Sequence, residues 1–450
     1  MAARLSGAAA RMVSALAPAV ALARPDLGRE ISGRAGAAAA LCEWDGPGKG
    51  RPLVWLHGAS AGELLGAVPA LRALQVERPH ALLVTHFSPS GRAALPHLRP
   101  AFASTAPLDA AVWLDPVFRT LRPALLVFAK LDVWPGMVAA AGRAGVPVAL
   151  INGGVRDGSR RARPFARRLF RPVYAALDRV GAATPADARR LRALGVREHA
   201  LAVTGDAAFD LALARADAAL APRGERSRFD AILPPRPPAG ARLVAGSTWP
   251  ADEEALLGAL EGGGEGLRWQ LVLAPHRPSE IRVREILARS RTHGRPAVRF
   301  SALARAADAG DDTSDVPAHA AIVVDEMGLL AELYTAGDVA YVGGGLGRAG
   351  LHNPLEPAAA GLPVLFGPRF ERSDAEALVA GGGALACAPP DLAGRLSAWL
   401  DPAVREPAGR RARTCVEEGA GAGVAAARLL ITAWDDARPA DPGTERSPSA

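Results

Sequence analysis

The chain of 450 residues has little cysteine and less lysine. Cys42, Cys387 and Cys415 lie far apart and form no C-x-x-C pair, which excludes a disulfide framework or a zinc-binding module and fits a reducing compartment. Lysine occurs only as Lys49 and Lys130, so the formal charge of +7 comes almost wholly from arginine scattered along the chain. With no basic cluster and no DNA- or RNA-binding motif, nucleic acid is not expected as a partner. The absence of GxxxxGK[ST] removes a P-loop. Long apolar runs are missing too. The best, AAARMVSALAPAVALA within residues 1–24, is interrupted by Arg11 and Pro18, so it is short for a spanning helix and reads as a membrane-associating interfacial segment. A signal peptide is the rival reading, because Arg4 and Arg11 precede or enter the run and Ala21-Leu22-Ala23 resembles a cleavage site.

What the chain does have is apolar residues, 49% of the total, arranged at a regular beat. Short aliphatic runs ending in Gly, Ser, Thr or Pro alternate with helix-like segments. They are PLVWLHG, ALLVTHFS, ALLVFAKL, PVALING, RVGAAT and LAVTGD in the first half, then RLVAGST, QLVLAPH, AIVVDE, VAYVGGG, PVLFGP and a weaker ALACAP in the second. Such alternation predicts parallel sheets covered by helices on both faces, hence an α/β protein of two doubly wound domains. The first is placed at residues 25–210 and the second at 241–434. A Pro- and Arg-rich linker at 211–240 separates them, and a polar, disordered tail fills 435–450.

In doubly wound sheets ligands sit beyond the carboxyl ends of the strands, so motifs at those ends carry the functional signal. His57, Gly58, Ser60, Gly62 and Glu63 lie together in HGASAGE after the first run. Ser60 and Glu63 have the spacing of a capping box, as do Thr184 and Asp187 in a segment with no other unusual feature. Spacing alone therefore does not separate a cap from a catalytic carboxylate at Glu63. The densest signal is VAYVGGGLGRAGLHNPLEP. Its Gly343, Gly344 and Gly345 offer N–H groups to an anion, Asn353 and Pro354 start a helix, and His352 with Glu356 suits a phosphorylated, ribose-bearing ligand. Ser247 and Thr248 make a further hydroxyl-rich helix start, and His276 with Arg277 place a titratable ring and a guanidinium at another strand end. The GxGxxG at residues 345–350 sits late in its domain, which disfavours an ordinary dinucleotide site.

These stretches, from about Arg24 to Arg428, resemble the 3-deoxy-D-manno-octulosonic acid (Kdo) transferases of lipid A assembly. The resemblance is carried by WLHGASAGE, VTHFSPSG, AKLDVWPG, LINGGVRDGSRR, TGDAAFD, AGSTWPADEE, LAPHRPSE and LHNPLEPAAAGLPVLFGP. It implies a GT-B glycosyltransferase of two Rossmann-like domains facing a cleft, the first binding a lipid A precursor of the lipid IVA kind and the second CMP-Kdo. It further implies transfer with inversion, no metal or other cofactor, and attachment to the cytoplasmic face of the inner membrane through residues 1–24. Residue by residue, Glu63 falls on the family's catalytic base, His57, Ser60, Ser88, Lys130 and Asp132 on the acceptor side, and Ser247, Thr248, His276, Arg277, Gly343, Gly344, Gly345, His352, Asn353 and Glu356 on the donor side. The family's E-T-E-L-W-P reads Lys130-Leu131-Asp132-Val133-Trp134-Pro135 here, which hands the second acid's role to Asp132. Its P-R-H reads P-H-R, which leaves the separate duties of His276 and Arg277 open. A sugar-nucleotide epimerase of related twin-domain fold, or an inactive lipid- or nucleotide-binding homologue, are the alternative functions.

Overall fold

The computed structural model describes residues 25–437, apart from residues 49, 131–132, 156–160, 162, 221–226, 262–263, 312–314 and 372. The apolar segment at 1–24, Asp132 and the tail beyond residue 437 lie outside the described residues. The chain divides into two compact units, residues 1–211 with 420–450, and residues 212–419.

The first unit is built on β1 (Leu53–Gly58), β2 (Ala81–His86), β3 (Phe102–Thr105), β4 (Leu125–Ala129), β5 (Val148–Gly153), β6 (Arg179–Ala182) and β7 (Leu201–Val203). All pair in parallel, in the order β3-β2-β1-β4-β5-β6-β7. Alternation along each strand serves two faces. Leu53 and Trp55 of β1 pack into one core, with Phe118, Phe128 and Leu150, while Val54 and Leu56 pack into the other, with Leu64, Leu71 and Leu430.

The second unit repeats the plan with β8 (Ala241–Thr248), β9 (Trp269–Pro275), β10 (Ala297–Arg299), β11 (Ala321–Val323), β12 (Val339–Val342), β13 (Val364–Phe366) and β14 (Ala384–Ala386). These too are parallel, in the order β10-β11-β9-β8-β12-β13-β14. In each sheet the chain first fills one side of the opening strand and then crosses to the other. The switch points therefore fall between β1 and β4, and between β8 and β12.

Two expected boundaries move. The stretch read as a linker at 211–240 contains the end of a helix, Ala208–Leu220, and a short 3-10 helix, Arg228–Ala231. Phe229 and Leu233 from it are buried in the second unit's core. The last helix, Ala422–Asp436, placed by sequence in the second domain and partly in the tail, instead covers the first sheet. It packs on the Ala61–Glu77 helix and on β5 and β6. Gly423 permits the approach, since a Cβ there would lie 2.7 Å from Pro69 Cβ.

Candidate functional site

At the first switch point, β1 runs through a two-residue turn into the helix Ala61–Glu77. Ser60 is extended (φ −139°, ψ 169°) and caps that helix, while Glu63 reaches back so that its Oε2 accepts from the Ala59 N–H at 2.5 Å and the Ser60 N–H at 3.3 Å. The capping reading of Glu63 is thus realised. The residue is half-buried rather than enclosed, and the bonds that cap the helix fix the orientation of its carboxylate. Ser88 joins the turn, because its N–H donates to the Ala59 carbonyl at 2.7 Å. The Ser88 hydroxyl oxygen accepts from the Ser90 N–H at 3.3 Å and the Ser90 O–H at 3.0 Å.

His57 does not belong to this rim. It is 0% exposed, its Nδ1 lies 2.9 Å from Thr85 Oγ1, and its ring meets Phe128 and Trp134 edge-on. It is a packing residue of the sheet, because β1 is central and both faces of the sheet are covered. The expected contact with an acceptor is therefore corrected.

Across the switch point, Lys130 follows β4 in a left-handed conformation (φ 61°), and Asn152 near the end of β5 shares it (φ 53°). Backbone strain of this kind in residues other than glycine concentrates at functional sites. Lys130 Nζ is 3.2 Å from Asp206 Oδ2. Asn152 is buried, donating to the Gly66 carbonyl at 2.8 Å and accepting from the Ala207 N–H at 3.1 Å. A Cβ on Gly66 would stand 3.4 Å from Asn152 Nδ2 and 3.7 Å from Lys130 Cε. The lysine therefore lies beside the Ala61–Glu77 helix, about one turn further along than Glu63. Asn152 and Asp206 were not singled out by sequence reasoning. The available signal was their place at the ends of the LING and TGD runs.

In the second unit, the β8–β9 register shifts between Gly246 and Thr248, leaving Ser247 as a left-handed bulge (φ 54°) beside the second switch point. Thr248, expected to face a ligand, is buried and donates to Glu253 Oε1 at 3.0 Å. Glu253 is fully enclosed. Burial pushes its carboxyl up, against the pull of the paired Arg282 guanidinium. Thr248 is thus part of a buried polar network and not of a binding surface.

The glycine turn also differs from expectation. The Gly343 N–H donates to the Gly246 carbonyl at 2.9 Å and the Gly344 N–H to Asp252 Oδ2 at 3.0 Å, so neither is available to an anion. Asp252 additionally accepts from the Trp249 N–H and the Tyr341 hydroxyl, each at 2.9 Å. Glycine is demanded here by crowding. A Cβ on Gly344 would come within 2.1 Å of the Gly350 carbonyl oxygen, and one on Gly345 within 2.8 Å of Gly367.

Three rings do come together. His276 stacks on Trp249 (centroids 5.1 Å apart, planes 21°) and on His352 (4.4 Å, 27°), and the Trp249 indole N–H donates to His352 Nε2 at 3.0 Å. Burial, then the neighbouring Arg277 charge, holds the His276 imidazole below its usual range. Arg277 is exposed beside this stack. Asn353 accepts from the Leu355 N–H at 3.1 Å and so opens the short helix Leu355–Ala359. Glu356 does not complete a capping box. Its Oε1 pairs with Arg215 Nη1 at 2.8 Å, an arginine contributed by the helix Ala208–Leu220. Burial raises the Glu356 carboxyl, and Arg215 opposes the rise.

The sequence pattern of 3-deoxy-D-manno-octulosonic-acid transferase (kdotransferase) matches residues 30–211. Over 333 residues the chain is 33% identical to the 3-deoxy-D-manno-octulosonic acid transferase of Chlamydia pneumoniae, covering 72% of this chain and 71% of that protein. It is 31% identical to the transferase of the same name from Bordetella pertussis, covering 80% and 81%. Among solved structures, UDP-GlcNAc 2-epimerase from Neisseria meningitidis bound to UDP-GlcNAc has the same fold, with a TM-score of 0.55 at 15% identity over 85% of this chain and all of that one. Two parallel doubly wound units of this kind form the GT-B class. With strained residues at both switch points, a positioned carboxylate on the first, and a third of the aligned residues shared with these enzymes, the chain belongs to the 3-deoxy-D-manno-octulosonic acid transferase family of glycosyltransferases.

Proposed function

We propose that the protein transfers Kdo from CMP-Kdo to a hydroxyl of a lipid A precursor of the lipid IVA kind, with inversion, and that Glu63 is the general base. The observation that carries this reading is the Glu63 carboxylate, held by the Ala59 and Ser60 N–H groups and still partly open at the carboxyl end of β1. A sugar hydroxyl is a weak nucleophile at neutral pH. Glu63 takes its proton as the oxygen bonds to C2 of Kdo. The bond between that carbon and the phosphate oxygen breaks on the opposite face, and CMP departs with the electron pair.

Ser60, Ser88 and Lys130 lie around the same strand ends and serve the acceptor in this reading; Asp132 is carried as a further acceptor residue. On the donor side, the Trp249–His276–His352 stack suits a flat base, Glu356 suits ribose hydroxyls, and Ser247 and Asn353 lie nearby in the chain. Since Gly343 and Gly344 have their N–H groups engaged, phosphate recognition passes to Arg277. No metal is part of the proposal. Among the described residues no helix is long and apolar enough to cross a membrane. Association with the cytoplasmic face of the inner membrane is assigned to residues 1–24.

The test is mass spectrometry of the purified full-length protein with CMP-Kdo and a tetraacylated disaccharide acceptor. The expected result is an acceptor heavier by whole Kdo residues, with CMP released only when acceptor is present. Release of CMP without acceptor, or an unchanged acceptor mass, overturns the reading.

A further inference from the structure

The amino ends of the first sheet carry a feature that the transfer reaction does not use. A cavity of about 640 Å³ lies there, within the range of organic ligand sites. Arg51 precedes β1, Arg72 sits midway along the Ala61–Glu77 helix, and Arg99 follows the short helix Leu95–Leu98. All three line this one cavity, and its lining includes no Asp or Glu. Several arginines of the unit are matched with acids, as Arg78 is with Asp435, Arg143 with Asp115 and Arg192 with Glu198. Among the described residues Arg51, Arg72 and Arg99 have no such partner, and the bond given to Arg51 is a long one of 3.5 Å to the His80 carbonyl. The rest of the wall mixes the polar Gln75, His80 and His97 with apolar side chains, of which Val68, Leu71 and Leu82 are buried. Three like charges around one hollow repel one another unless an anion sits between them, and guanidinium matches phosphate oxygens in pairs.

We propose that this cavity binds an organic phosphate, its oxygens held by Arg51, Arg72 and Arg99 and its apolar portion resting on Val68, Leu71 and Leu82. The site is separate from Glu63 and Lys130, which follow the carboxyl ends of β1 and β4, whereas Arg51 precedes β1 and Ala81 and Leu82 open β2. The phosphate is that of a soluble metabolite or of a lipid headgroup. The two sources present the same chemistry to the arginines.

The experiment titrates the full-length protein at low ionic strength, in one arm with pyrophosphate by calorimetry and in the other with phosphatidylcholine vesicles containing phosphatidylglycerol by co-sedimentation. The cavity variant combines R51Q, R72Q and R99Q. A control of equal charge combines R119Q, R167Q and R189Q, three exposed arginines of the same unit. Each charged hydrogen bond lost lowers affinity about tenfold or more, so the cavity variant is expected to fall by at least that factor in one arm while the control binds as the wild type does. A fall with pyrophosphate identifies a soluble ligand, and a fall with vesicles alone identifies a headgroup. R72Q by itself, at an exposed helical position, gives a smaller loss of the same sense and guards against misfolding of the triple variant. Equal loss in cavity and control variants, or no wild-type binding in either arm, overturns the proposal.

Discussion

Both units place an acid in the third position of the helix that follows their opening strand, and the two acids behave differently. Glu63 in the first unit accepts from the Ala59 and Ser60 N–H groups of its own turn, and it stays half-buried. Asp252 in the second is 1% exposed and accepts from its own cap, Trp249, from Tyr341 within β12 and from Gly344 in the turn that follows it. One device closes a helix and leaves a carboxylate at a rim. The other ties together the two sides of a switch point and disappears into the core. A capping-box spacing therefore says that a carboxylate is oriented. Whether it is open to a reactant depends on how far its bonds reach.

The largest expected effect tests the open member of the pair. Glutamine can accept from the Ala59 and Ser60 N–H groups but cannot remove a proton, so Glu63→Gln should keep the unfolding midpoint and lower the Kdo transfer rate by roughly 10²- to 10⁴-fold. Near wild-type turnover would make Glu63 a cap alone, and the two acids would then be equivalent. The closed member is tested by stability. Asp252→Ala strands three donors, two of them buried, and should lower unfolding free energy by about 2–4 kcal/mol in a denaturant titration. A variant as stable as the wild type would show that the tie across the switch point is unimportant.

A smaller effect distinguishes Glu356 from both. If it binds ribose, Glu356→Ala weakens CMP by about tenfold in calorimetry, the worth of a hydrogen bond to a charged group. Reduced stability with unchanged CMP affinity would return it to a purely structural pairing with Arg215. The smallest effect concerns pH. Burial raises the Glu356 carboxyl above 4.5 in the folded protein, so the folded state holds this proton more tightly than the unfolded chain does. Its contribution is then fully present below pH 4.5 and is lost as pH rises through the raised folded value. The stability of the wild type relative to Glu356→Gln should decline across that window, read by thermal unfolding at a series of pH values. A difference that stays flat would mean that Arg215 fully offsets burial.

Sequence disclosed most of the sheet frame because parallel strands covered on both faces must be continuous apolar runs. The strands it did not disclose are β3 (FAST) and β10 (AVR), short edge strands of partly exposed residues with no such run. Around the site, the positions at strand ends were legible and the direction of the side chains was not. His57 and Thr248 read as ligand contacts but are buried, the one in a sheet covered on both faces and the other beside a bulge. Gly343 and Gly344 read as an anion cradle, yet their N–H groups are engaged by partners about 90 residues or more away in the chain. Arg215 hid in a segment whose proline and arginine content suggested a linker. Each of these depends on a contact distant in sequence, which local spacing does not encode.

The return of the Ala422–Asp436 helix to the first sheet sets an order of assembly. A ribosome releases the whole of the unit at 212–419 before the helix that completes the unit at 1–211 exists. Domains ordinarily fold in the order in which they are made, amino-terminal first. Here the later unit can finish while the earlier one still lacks the cover of β5, β6 and the Ala61–Glu77 helix, with the apolar surface that Leu430 and Trp434 will bury left open to solvent. The Ala61–Glu77 helix, which carries Glu63 in its first turn, is thus among the last parts of the nascent chain to be clamped.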